Sequence, residues 1–127
     1  MDEGQRMLWV LLKCGEVLQL TAKSEVATAF KQLLEPEVIG LIVAGLIVWG
    51  ASHFVGIGFI FDIAMVIVMG TAIIKAFETM WEIYKIISKA SSKTDLDRAA
   101  EMMAKMVIQL GVETFLAIVL RLSLIHI

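Results

Sequence analysis

The chain has 127 residues, 59% of them hydrophobic and 19% charged, against about 45–50% and about 25% in ordinary globular proteins; it fits one domain and lies between a soluble helical bundle and a membrane protein. A formal net charge of −2 with no basic run argues against a phosphate-neutralising surface, so no nucleic-acid partner is expected. Cys14 is the only cysteine, which excludes an internal disulfide and a cysteine-based metal cluster.

The first twenty residues, interrupted by Lys13 and Glu16, do not read as a secretory signal. They read instead as a helix over about 3–20, with Met7, Val10, Leu11, Cys14 and Leu18 forming one apolar stripe. "TAKS" ends it. A short second helix over about 24–34 places Val26, Phe30, Leu33 and Leu34 on one face. Pro36, the only proline, disfavours helix at Glu35 and opens the next helix. No stretch alternates with period two, so the whole chain is expected to be helical.

From Val38 to Phe61 the only ionisable residue is His53. A third helix is expected from Pro36 to about 53–54 and a fourth from Gly58 to Lys89. The first half of the fourth is apolar nearly all round. Its second half sets Lys75, Glu78, Glu82, Lys85 and Lys89 opposite Ile74, Phe77, Trp81, Tyr84 and Ile87. "SKASSKTD" reads as a linker, with Thr94 and Asp97 as a short capping box for a last helix from Asp95 to about Arg121. On that helix Arg98, Glu101, Lys105, Gln109 and Glu113 should face water, and Met103 and Leu110 the core. The expected fold is all-α: a four- to five-helix bundle around a central hydrophobic helical hairpin. One domain would cover 1–121, with amphipathic helices over 1–35, the hairpin over 36–89 and the C-terminal helix over 94–121.

The final residues Leu122–Ile127, "LSLIHI", match the translation of an end sequence that a widely used sequencing transposase adds to DNA fragments. They are expected to be adapter-derived, and His126 is set aside as a site residue.

Candidate chemistry concentrates in "VWGASHFVGIGFIFD", residues 48–62. Gly56 and Gly58 form G-x-G, but a helix precedes them and Phe61 stands where a third glycine would be, so a helix–helix turn is expected and not a dinucleotide loop. Gly40, Gly45 and Gly50 make the third helix rich in small residues that favour close helix packing, with Trp49, in a membrane or in a soluble core, though their spacing is not a G-x-x-x-G motif. Ser52 adjoins His53, yet adjacent helical positions diverge and no nucleophile partner is visible. His53 and Asp62 are expected to pair as a polar elbow, with Asp62 within about the first turn of its helix. The methionines read as core filler, and Glu78 and Glu82 lack the histidines of a di-metal site. No catalytic, metal or cofactor residue is assigned.

Each arm of the hairpin is close to the roughly 20 apolar residues that span a bilayer. Lys31 before it and Lys75, Lys85 and Lys89 after it would remain on one side. Burial of the hairpin inside a soluble bundle is the alternative, and both stay open at this level.

The block "LLEPEVIGLIVAGLIVWGASHFVGIGFIFDIAMV", with "TDLDRAAEMMAKMVIQLGVETFLAIVLR", resembles a helical pre-toxin domain of undefined function in bacterial polymorphic toxins and type VI secretion effectors. Leu34, Pro36, Glu37, Trp49, Ser52, His53, Phe54, Gly56, Gly58, Asp62, the Thr94–Asp97 start and Gly111 carry the resemblance; Gly40 and Gly45 depart from it. The resemblance implies a non-catalytic module that aids delivery or membrane translocation of a downstream toxin domain. The expected setting is a secreted bacterial effector, cytoplasmic before export and membrane-associated in the target cell. A soluble scaffold for a chaperone, immunity protein or secretion component is the alternative, and a small integral membrane protein a further one.

Overall fold

The computed structural model describes residues 1–125, except the side chains of Phe61 and of residues 123–125. Among these residues there are seven α-helices and no strand. They are α1 (Glu3–Thr21), α2 (Ser24–Gln32), α3 (Pro36–Phe54), α4 (Gly58–Met69), α5 (Ile74–Lys89), α6 (Lys93–Leu110) and α7 (Val112–Ile125). The all-α bundle expected from the periodicity is present.

Two expected helices are each divided by a glycine. The fourth breaks at Gly70 (φ 96°, ψ 168°), where a single 3-10 turn, Thr71–Ile73, links α4 to α5. The last breaks at Gly111 (φ 90°, ψ 146°), and the chain bends by 110° between α6 and α7. Side chains with a Cβ avoid such angles, so both turns depend on glycine. The α6 cap is also displaced from the expected Thr94. Ser92 Oγ accepts from the Asp95 backbone N–H at 3.4 Å, while Asp95 Oδ2 accepts from the Ser91 N–H at 3.1 Å. The Ser91 bond holds the Asp95 carboxyl below its ordinary range.

α1 starts from a reciprocal capping box: Asp2 Oδ1 accepts from Gln5 N–H at 2.8 Å, and Gln5 Oε1 accepts from Asp2 N–H at 3.0 Å. Its expected stripe of Met7, Val10, Leu11, Cys14 and Leu18 is buried. The stripe packs chiefly on α6, which also takes α5 on its flank. Arg6 of α1 donates to the carbonyls of Ile87 (3.2 Å) and Ser88 (3.1 Å), so a cation satisfies the C-terminal end of α5. Phe77 and Met103 are buried, Trp81 and Leu110 half-buried, while Lys75, Glu78, Glu82, Arg98, Glu101 and Lys105 are exposed. Lys85 is half-buried and Ile74, expected inward, is exposed.

Within the expected hairpin of residues 36–89, α3 and α5 each bury a face in the core, and the α4 segment alone lies outside it. α3 finds its main neighbour in α7 and a second in α1, and α4 is left at the periphery. Of the large apolar side chains described on α4, Met65 alone is buried; Phe59, Ile60, Ile63, Ile67 and Val68 are each more than half exposed. At the other end Leu122, the first residue of the adapter-like tail, is buried in the core. His126 and Ile127 lie outside the described residues.

Candidate functional site

The turn between α3 and α4 is built from the end of α3. Gly56 takes φ 84°, its N–H bonds to the His53 carbonyl at 3.2 Å, and the Ile57 N–H bonds to the Ser52 carbonyl at 3.1 Å. These paired bonds satisfy two carbonyls that the helix end would otherwise leave open. The chain is thereby turned so that α4 sets Asp62 against the last turns of α3.

Four side chains meet there. The Trp49 carbonyl accepts from the Ser52 hydroxyl at 2.6 Å and faces His53 Nδ1 at 2.8 Å. The indole Nε1 of Trp49 donates to Asp62 Oδ1 at 2.8 Å, and Asp62 Oδ2 lies 2.7 Å from His53 Nε2. A carbonyl can only accept, so the Nδ1 bond requires a proton on Nδ1. The Nε2–Asp62 bond needs a second proton, on the ring or on the carboxyl. The complete set therefore holds one proton more than a neutral imidazole beside a carboxylate, and with it the pair has no net charge.

The pair is sheltered, with side-chain exposures of 14% for His53 and 21% for Asp62. The His53 ring packs on Trp49 (centroids 4.2 Å apart) and Trp81 (5.4 Å), and Phe54 continues the cluster onto Trp81 and Tyr84. A Cβ on Gly58 would run into the His53 imidazole, and one on Gly50 into the Tyr84 ring. These two glycines are small because an aromatic ring occupies the space. Gly45 is buried in α3, whereas Gly40 is exposed with open space around it and packs against nothing.

The structure thus brings together Trp49, Ser52, His53, Gly58 and Asp62, with Gly56 shaping the turn. Asp62 lies beyond the first turn of α4 and bridges to α3, so it does not cap its own helix as expected. Ser52 is turned to a carbonyl and away from any nucleophilic pairing with His53. No group of three or more potential metal ligands occurs among the described residues. The direct bond from Trp49 to Asp62 was not anticipated. Its signal was there: a buried indole N–H needs an acceptor, and Asp62 is the only carboxylate between Val38 and Ile74.

Beside the elbow an apolar groove of about 450 Å³ runs between α4 and α5. Phe59, Ile63 and Ile67 form one wall, Phe77 and Trp81 the other, and the His53–Asp62 pair stands at its edge. Fold and site together define an all-α bundle in which the apolar stretch from Val38 to Ile74 has only two ionisable groups, His53 and Asp62, and these are bonded to each other. Comparison with protein-family models, with curated proteins and with solved structures finds no match in any of the three.

Proposed function

We propose that the chain is a non-catalytic helical module that engages a lipid membrane through its α3–α4 hairpin. In this reading it helps a secreted bacterial effector deliver a downstream toxin domain to or across a target membrane. The observation that carries the membrane part is the distribution of charge and burial. Between Val38 and Ile74 only His53 and Asp62 can ionise, and each is bonded to the other. The outer surface of the same segment exposes Leu41, Val48, Phe54, Val55 and Ile57, with Phe59, Ile60, Ile63, Ile67 and Val68 of α4. A concentration of exposed large apolar side chains on one segment is the mark of an interaction site. The toxin part rests on the sequence resemblance.

Helix lengths set the mode of contact. α3 has 19 residues and is about 28 Å long, close to the roughly 30 Å of a bilayer core. Among the described residues it is the one unbroken helix long and apolar enough to cross, and 33% of its most apolar stretch is buried inside the protein. α4, with 12 residues, is about 18 Å long and too short to span alone. The folded form therefore docks with α4 lying in the interface, its apolar face about 5–10 Å deep. Spanning requires α3 to leave α7 and α1.

Flotation of the full chain with phosphatidylcholine vesicles tests the proposal. The protein should rise with the vesicles, and Ile63→Glu or Ile67→Glu, both at exposed positions, should leave it at the bottom with its helix content intact. A wild-type chain that stays behind, or variants that float equally well, would refute it and favour a soluble scaffold for a protein partner.

A further inference from the structure

The groove between α4 and α5 has a property that a plain membrane-facing surface lacks: a fixed sign of charge. Its volume of about 450 Å³ falls in the range of small-molecule sites, about 300–1,000 Å³. Its walls are almost wholly apolar, and three of the residues on them, Phe59, Phe77 and Trp81, are aromatic. The ionisable groups along it are His53, Asp62 and Glu78. The His53–Asp62 pair is neutral when it holds its shared proton and carries one negative charge when it does not. Glu78 is exposed on the rim and adds a carboxylate with no cation partner among the described residues. The cations nearest along α5 do not cancel it. Lys75 lines a different groove, with Met106, Gln109 and Leu110 of α6. Lys85 reaches the Trp81 ring at 5.6 Å but is bonded to Glu82 at 2.8 Å. The groove is thus negative in either protonation state of the pair.

We infer that this groove is a binding site for a small hydrophobic monocation, an aliphatic or aromatic body ending in an ammonium group. The body lies between Ile63 and Phe77, displacing water from apolar walls. The ammonium group sits at the rim against the Glu78 carboxylate and an aromatic face, a combination that draws cations and rejects anions. The inference does not depend on membrane engagement, and its test contains no lipid.

Isothermal titration of the full chain with three probes that share one eight-carbon chain, octyltrimethylammonium, octyl glucoside and octyl sulfate, separates body from charge. All are used below their micelle-forming concentrations. The ammonium probe should bind about fivefold more tightly than the uncharged one, and the sulfate most weakly. Glu78→Gln should reduce the preference for the ammonium probe over the uncharged one, and Glu78→Lys should reduce it further. Ile63→Gln should weaken all three alike. Glu78 and Ile63 are exposed, so these variants fold. Equal affinity for the three probes, which is chain adsorption to α4 alone, would overturn the inference. So would the absence of binding, or an ammonium preference that Glu78→Lys leaves undiminished.

Discussion

Asp62→Asn and Asp62→Ala differ by one amide group, and the elbow geometry predicts a large difference between them. In the asparagine variant the amide oxygen still accepts from Trp49 Nε1, and the amide NH2 points at His53 Nε2. A neutral imidazole protonated on Nδ1 accepts that bond and keeps its own bond to the Trp49 carbonyl. Every contact survives, and a charge-assisted hydrogen bond is traded for a neutral one, a loss of about 1 kcal/mol. The alanine variant removes both acceptors. The indole N–H of Trp49, a residue 1% exposed, is left without a partner and His53 loses its anchor, for about 3 kcal/mol in total. With a urea slope of about 2 kcal/mol per molar, the midpoints should fall by about 0.5 M and about 1.5 M. Circular dichroism and tryptophan fluorescence should report coincident transitions. Equal losses from the two variants, or a negligible loss from Asp62→Ala, would show that the elbow bonds do not support the fold.

Gly58→Ala should destabilise by about 1–3 kcal/mol, because the new methyl displaces the His53 ring while the backbone itself is unstrained; calorimetric melting measures it. Within α3, Gly40→Ala should stabilise by about 0.5–1 kcal/mol, since the position is open and helical. Gly50→Ala should destabilise, since its methyl meets the Tyr84 ring, and opposite shifts in urea midpoint are the expected readout. Burial pushes the Cys14 thiol from its ordinary 9.0 up to about 12. The unfolded thiol ionises first, so stability is unaffected below pH 9 and falls as pH rises from there toward 12. Burial, and after it the neighbouring Glu3 carboxylate, push Tyr84 in the same direction. Alkaline urea titrations of the wild type and Cys14→Ala should show a shallower decline in the variant.

Helix content and the α1 stripe were legible because apolar residues recur there at helical spacing with polar residues between them. The pairing of His53 with Asp62 was legible for a different reason: two lone ionisable groups in an apolar block have nobody else to satisfy. The breaks at Gly70 and Gly111 were not read, because a glycine inside a helical pattern is usually tolerated and the hydrophobicity continues through both. The change from an all-round apolar segment to an amphipathic one near Ile74 was the available signal for the first break. Placing the α4 segment of the hairpin at the centre failed because apolarity ranks burial only when the bundle has room. Here the small residues Ala99, Ala100 and Ala104 let α6 fill the middle against α1 and α5, and α4 was left outside. The α6 cap was misplaced by two residues because Ser92 and Thr94 both precede an aspartate at capping distance, and only Ser92 makes the bond.

The membrane claim is tested most directly by asking which face of the protein meets lipid. In a Cys14→Ala background, single cysteines at the exposed positions Ile67 and Glu101 can each carry an environment-sensitive fluorophore, one on α4 and one on the polar side of α6. On adding vesicles the probe at position 67 should shift to the blue and become inaccessible to aqueous quencher, while the probe at 101 remains unchanged. No shift at either position, or a shift at 101 without one at 67, would contradict membrane docking through the hairpin.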